Sequence, residues 1–366
     1  MKKILVLFLL IFGVAFAETQ YIAKGIYTNE GRLLDGENLS IKHPLNSITK
    51  LMSSLVVADS IGQGKITFDT MVTINEAESK LDGIKMQIKK GDNLSVRDLL
   101  LGLLLGNQNN ATIALTRVVA GSEDEFVKLM NEKAKSLGMK NTTFYTATGL
   151  HPDISKKKSD IGTVEDVIKL LNAVMSNKVL NEMIKSDSLN IKNNTLKISN
   201  VNKIVSKDTE AFGIRLGSNS TSGHNIIFAT KKEGKTYYVI ILGLMTSVNI
   251  GNQINEEIDS LRNNFKTTIL INTGEFIIEA PLKNGKVKRI ELFAAKDIVE
   301  EVKSQWKLNK YVFLPKEIKA PIKKGEKVGT YIISYEGREI GRTDLVTNED
   351  IKESNFLDEI RKKFTN

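Results

Sequence analysis

The chain has 366 residues, with 52 lysines and arginines against 43 aspartates and glutamates, three histidines and no cysteine. Such a length suggests two domains, since single cores rarely grow beyond ~250–300 residues, and 41% hydrophobic with 26% charged residues is ordinary globular composition, not disorder or a coiled coil. The absence of cysteine excludes disulfides, thiol catalysis, iron–sulfur clusters and cysteine zinc sites, and His43, His151 and His224 leave little room for an all-histidine metal centre.

Lys2 and Lys3 precede an apolar run over 4–14, followed by Ala15-Phe16-Ala17. This is the pattern of a secretory signal peptide (residues 1–17) cleaved after Ala17. The run is shorter than the ~20 residues a spanning helix needs. An exported protein is therefore expected, in the periplasm or at the outer face of the cytoplasmic membrane. Losing the two lysines lowers its charge from +9 to +7.

Over 18–266 helical and strand signals mix. Asn46 stands where it can cap a helix that carries Ile48, Leu51, Met52, Leu55 and Val56 on one face. Ser95, with Asp98 three residues on, opens a second helix, and the run 99–105, broken by Gly102, reads as core. Ser122 opens a third, with Phe126, Leu129, Met130 and Leu137 inward and Gly138 placed to end it. Thr163 starts a fourth. Residues 224–230 and 236–245 are β-rich and flank Lys231-Lys232-Glu233-Gly234-Lys235, which predicts a hairpin. Ile254, Ile258, Leu261 and Phe265 then form a helical stripe. Strands at both ends around a helical middle predict an α+β fold, an antiparallel sheet flanked by helices.

Past Lys266 short strand candidates follow at 268–271, 276–280, 287–292, 311–314, 327–334 and 339–346, separated by turn residues such as Asn284-Gly285 and Glu336-Gly337. They predict a small all-β sandwich domain over 267–349. In the tail, 350–366, Phe356, Leu357, Ile360 and Phe364 share a helical face beside Arg361-Lys362-Lys363. Two readings stand: peripheral contact with a membrane surface, or a solvated tail docked on its own domain.

The chemistry-bearing signal is Ser47-Ile48-Thr49-Lys50, an S-x-x-K pattern. Positions three apart share a helix face, so the lysine amine can approach the serine hydroxyl. A buried lysine whose pKa falls from its reference of ~10.4 can serve as the base for a serine nucleophile. The pattern recurs at 155–158 and 304–307, where it reads as chance. No G-x-S-x-G elbow, H-E-x-x-H or clustered metal ligands occur. His224 reads as a strand-end residue, and His151, beside Pro152, as loop. The basic tracts 156–158 and 323–324 lack the aromatic interleaving of a nucleic-acid surface, so no nucleic-acid partner is expected.

Around this motif the segments 31–50, 94–111, 121–150, 200–203, 212–225 and 316–328 resemble, in order, the D-alanyl-D-alanine carboxypeptidases, which are low-molecular-mass penicillin-binding proteins and serine peptidases. Met130-Asn131-Glu132-Lys133-Ala134-Lys135-Ser136-Leu137-Gly138-Met139 and the run 316–328 carry much of the likeness. The resemblance implies a penicillin-binding/β-lactamase-type transpeptidase-like domain followed by the β-sandwich. It implies Ser47 as the acylated nucleophile and Lys50 as its base. It also implies backbone N–H groups of Ser47 and Ser218 as an oxyanion hole, peptidoglycan stem peptides as substrate and β-lactams as inhibitors. No metal or organic cofactor is implied.

Two motifs depart from the family pattern. Where the family has Ser-x-Asn, this chain has Asn107-Gln108-Asn109: Asn109 keeps the amide for substrate, while Asn107 cannot shuttle a proton as a hydroxyl does. Where the family has Lys-Thr-Gly, the chain has Arg215-Leu216-Gly217. By resemblance Arg215 would receive the substrate's terminal carboxylate, Leu216 lacks the hydroxyl that helps, and Gly217 lets substrate backbone lie close. The departures keep open a catalytically impaired, non-enzymatic peptidoglycan-binding homologue of the same fold. A β-lactamase fits less well, given the appended β domain.

Overall fold

Continuous apolar stretches build the centre of the first unit. The computed structural model describes residues 20–191, 195–204 and 206–354; the expected leader and the apolar face of the tail lie outside them. Five strands, β1 (Ala23–Thr28), β2 (Leu33–Glu37), β3 (Phe212–Asn219), β4 (Gly223–Lys232) and β5 (Lys235–Leu244), form an antiparallel sheet in the order β2-β1-β5-β4-β3. The expected hairpin is β4–β5. Its turn places Glu233 and Gly234 at φ 51° and 77°, as a two-residue hairpin requires. Strands β4 and β5 are buried on both faces, which is why 226–229 and 239–242 run apolar without alternation. Strand β1 joins the sheet through β5, with Ile26 opposite Val239. That leaves β3 as an edge.

The longer helices of the chain are α1 (Thr49–Gly62), α2 (Val96–Leu104), α3 (Asn109–Ala120), α4 (Glu123–Ser136), α5 (Val164–Ser176), α6 (Lys178–Lys185) and α7 (Ile250–Asn264). Ser95, Ser122 and Thr163 cap their helices as expected, accepting from the N–H groups of Asp98, Glu125 and Asp166. Helix α1 differs from its expected amphipathic stripe: Ser53 and Ser54 are buried along with Leu51, Met52, Leu55, Val56 and Val57, because α1 is the central helix of the core. Asn46 does not cap it. Its side chain is taken instead by Asn219 and Ser222 at the β3–β4 turn, at 2.9 and 3.0 Å.

The chain divides into two compact units after Glu257. In the second, β6 (Phe265–Ile271), β7 (Phe276–Pro281), β8 (Arg289–Ala294), β9 (Ile298–Lys303), β10 (Asn309–Phe313), β11 (Lys327–Tyr335) and β12 (Arg338–Val346) form a five-stranded sheet, β7-β8-β12-β11-β10, and a β6–β9 ribbon. Ile271, Leu292, Ile298, Ile333 and Leu345 share one core, an all-β unit as expected. Strand β9 went unpredicted because Glu300 and Glu301 interrupt its apolar pattern. Glu301 is nonetheless buried, and its carboxylate accepts from Thr267 Oγ1 at 2.7 Å.

Candidate active site

Ser47 lies in a 3-10 turn, Asn46–Ile48, that leads straight into α1. Two glycines clamp this turn. Behind it, Gly149 has φ 72°, and a Cβ there would stand 1.8 Å from the Asn46 carbonyl oxygen. In front, a Cβ on Gly217 of β3 would stand 3.0 Å from Ser47 N and 3.1 Å from Ser47 Cβ. The edge strand therefore runs directly against the serine backbone.

Lys50 follows one helical turn later and is only 2% exposed. Its Nζ donates to the Thr148 carbonyl at 2.8 Å. Burial holds its pKa well below the ordinary lysine value, the positive charge of Arg215 lowers it further, and Asp160 opposes both. Asp160 is itself buried, which raises its pKa. Four donors work against that: Thr49 Oγ1, Thr146 Oγ1 and the N–H groups of Tyr145 and Thr146, at 2.6–2.8 Å. Together these bonds fix the segment 145–160 that presents Thr148 to Lys50. Asp160→Asn offers these donors one oxygen in place of two, leaving buried groups unpaired. A loss of ~1–3 kcal/mol is expected, read by thermal or urea unfolding; an unchanged midpoint would contradict this role.

Asn107 joins α2 to α3 in a left-handed conformation, φ 53°. Its Nδ2 donates to Ser47 Oγ at 3.2 Å, and its Oδ1 accepts from Arg215 Nη1 at 3.3 Å. Arg215 is 0% exposed. It therefore does not face the cleft as a receptor for a carboxylate, contrary to expectation. Its Nη1 also donates to the Leu103 carbonyl at 3.4 Å, while Nε and Nη2 have no partner among the described residues. Burial brings its pKa down to about 9. Asn109 also turns inward: Nδ2 donates to the Asp82 carbonyl at 3.3 Å, and Oδ1 is buried without a partner among the described residues.

A cavity of about 310 Å³ opens beside the serine, lined by Ser47, Ile84, Asn107, Leu216, Gly217, Ser218 and His224 among others. The structure thus gathers Ser47, Asn107, Gly217 and Ser218 at one opening, with Lys50 and Arg215 behind it. His224 was missed as a lining residue; it pairs with Ser218 across β3–β4, a register that sequence does not state. Leu216 N–H donates to Asn202 Oδ1 at 3.2 Å, so it points away from β4. Alternate residues of a strand direct their N–H groups alike, which turns the Ser218 N–H outward as well, beside Ser47. Among the described residues no group of three or more His, Asp or Glu could hold a metal ion, and no helix is long and apolar enough to cross a membrane.

The family model for D-alanyl-D-alanine carboxypeptidase matches residues 19–246, and that for the penicillin-binding protein 5 C-terminal domain matches 265–353. The chain is 25% identical over 338 residues to D-alanyl-D-alanine carboxypeptidase DacF of Bacillus subtilis (strain 168), covering 91% of this chain and 86% of that protein. It is 28% identical over 337 residues to DacC of Escherichia coli (strain K12), covering 89% and 83%. The crystal structure of DacD from Francisella tularensis superposes with a TM-score of 0.72 at 21% identity over 97% of both chains. Penicillin-binding protein D2 from Listeria monocytogenes in its ampicillin-bound form superposes with a TM-score of 0.55 at 25% identity, covering 62% of this chain and 91% of that one.

Proposed function

Since this chain belongs to the D-alanyl-D-alanine carboxypeptidase family, we propose that it is an exported serine carboxypeptidase that trims peptidoglycan stem peptides through an acyl-enzyme at Ser47. The observation that carries this reading is the buried Lys50 amine, one turn from Ser47 and held by the Thr148 carbonyl with its pKa strongly lowered. It supplies a neutral base that an exposed lysine would not. Ser47 Oγ attacks the carbonyl of the D-Ala–D-Ala bond and Lys50 Nζ takes its proton. The N–H groups of Ser47 and Ser218 stabilise the oxyanion. The C–N bond then breaks, D-alanine leaves with the proton returned by Lys50, and water hydrolyses the ester with the same lysine as base. Gly217 admits substrate backbone beside the serine, and Asn109 holds the segment of Asp82 and Gly83 through the Asp82 carbonyl. The buried Arg215 guanidinium sets the local potential behind the cleft and helps keep Lys50 neutral. Cleavage after Ala17 would release the mature chain beyond the membrane.

By analogy with the ampicillin-bound relative, β-lactams should acylate Ser47. The test is to incubate the mature protein with a fluorescent penicillin, map the modified residue by mass spectrometry, and assay D-alanine released from a pentapeptide. A single adduct on Ser47 with D-alanine release is expected. An adduct elsewhere would overturn the nucleophile assignment. No adduct and no D-alanine would favour the wall-binding reading that Asn107 and Leu216 motivate. Gly217→Ala, whose methyl group meets Ser47 at 3.0–3.1 Å, is expected to slow labelling about tenfold by shifting the nucleophile a few tenths of an ångström. An unchanged labelling rate would show that the strand yields instead.

A further inference from the structure

Ser47, Asn107 and Arg215 form one chain of hydrogen bonds. A guanidinium carries five N–H donors and no acceptor. The Asn107 atom facing Arg215 Nη1 must therefore be the amide oxygen, and the NH2 group must face Ser47 Oγ. An amide orientation that is often ambiguous is here decided by its neighbour's chemistry. The NH2 group only donates, so Ser47 Oγ is held as an acceptor, with its own proton free for the base. The backbone agrees with this arrangement: Asn107 sits at φ 53°, a region that asparagine tolerates better than most side chains. Arg215 is equally committed. It is fully buried, and among the described residues it donates to Asn107 and the Leu103 carbonyl.

We propose that residues 107 and 215 act as one unit: Arg215 is a positioning residue that locks the Asn107 amide, and the amide is a fixed donor to Ser47 Oγ that carries no proton. This rests on Ser47 being the nucleophile. Lys50 is then the single carrier of the proton, taking it from Ser47 as the Oγ–carbonyl bond forms and delivering it to the departing amine as the C–N bond breaks. A hydroxyl at position 107 would share that transfer; the amide instead stabilises negative charge building on Oγ. The departures at positions 107 and 215 are one coupled change, since these two side chains touch each other.

The test measures labelling by a fluorescent penicillin against pH, with melting temperature recorded for each variant. Asn107→Asp keeps the acceptor for Arg215 and removes the donor to Ser47. It should slow acylation at least 100-fold with the melting temperature unchanged or higher. Arg215→Met frees the amide and removes unpartnered buried donors. It should slow acylation at least tenfold without lowering the melting temperature. The charged groups acting on Lys50 are Arg215 and Asp160, so with Arg215 gone the rising limb of the pH profile should move to higher pH. Asn107→Ser and Arg215→Lys should each slow labelling, while the double variant labels at least tenfold faster than the product of the two single effects predicts. Independent effects in this cycle, or an Asn107→Asp that labels at the wild-type rate, would overturn the unit. So would an Arg215→Met that loses rate and melting temperature together with no shift of the profile. If the wild type does not label, the acyl-enzyme reading itself fails, and the unit falls with it.

Discussion

Ser47→Ala is expected to abolish penicillin labelling and D-alanine release, and Lys50→Met to slow both by ~10²–10⁴, the range for losing a positioned general base, while making the protein more resistant to heat. Activity and stability move in opposite directions because Lys50 is a strained choice for its position. A lysine whose pKa is lowered on folding binds its proton more tightly in the unfolded chain. Stability is therefore lost as pH falls from the ordinary lysine range down to the folded pKa. Methionine, of similar length and uncharged, escapes that loss. The same lowered pKa sets the pH dependence of the reaction. The neutral amine accumulates at pH values well below ~10.4, so labelling should rise with pH to a midpoint far under that of a free lysine. Labelling rates and melting curves across a pH series check both halves. A Lys50→Met variant that melts lower at neutral pH, or that labels at the wild-type rate, would refute the assignment.

Gly149→Ala is expected to be among the most damaging single methyl groups that could be added to the described residues. The position has φ 72°, and the added carbon would meet the Asn46 carbonyl oxygen at 1.8 Å. The left-handed conformation alone costs about 1–2 kcal/mol for a residue with a Cβ. The contact cannot be relieved by a rotamer, because its partner is backbone. Asn46 is in turn held by Asn219 and Ser222, so displacing it moves the turn that carries Ser47. A destabilisation beyond ~3 kcal/mol is expected, in the upper tail for point substitutions, with penicillin labelling lost even in the fraction that stays folded. Urea unfolding combined with labelling reads both. A variant of near-native stability that still labels would show that segment 145–150 is free to move.

Much of the helical layer was legible because its signals are local. Ser95, Ser122 and Thr163 each satisfy an N–H three residues on, and the β4–β5 hairpin announces itself through Glu233-Gly234. Strands β1 and β2 were not legible individually, since Gly25 and Gly36 interrupt their patterns and they join the sheet through β5, some 210 residues away in sequence. The site divides in the same way. The spacing of Ser47 and Lys50 is local, and their motif was visible at once. The surroundings of Arg215 are not: it is fully buried, where it meets Asn107 and the Leu103 carbonyl. Asp160, Thr148 and His224 entered only with the fold. Asp160 and Thr148 act through backbone and hydroxyl contacts, and His224 through the register of β4.

Asn202 deserves its place in this picture for what it does to the sheet's exposed margin. Its amide oxygen occupies the Leu216 N–H, its Nδ2 is tied to the Leu104 carbonyl, and its own carbonyl oxygen lies 1.7 Å from where a Cβ on Gly213 would stand. One outward N–H of this edge strand is thus answered from within the molecule. Open sheet margins invite the strands of other chains, and on β3 the Leu216 N–H is no longer on offer. The end of a peptide can be accommodated beyond it; a long strand of a neighbouring molecule finds that rung taken. The side chain that holds the Leu216 N–H thereby shortens the stretch of this edge open to another chain.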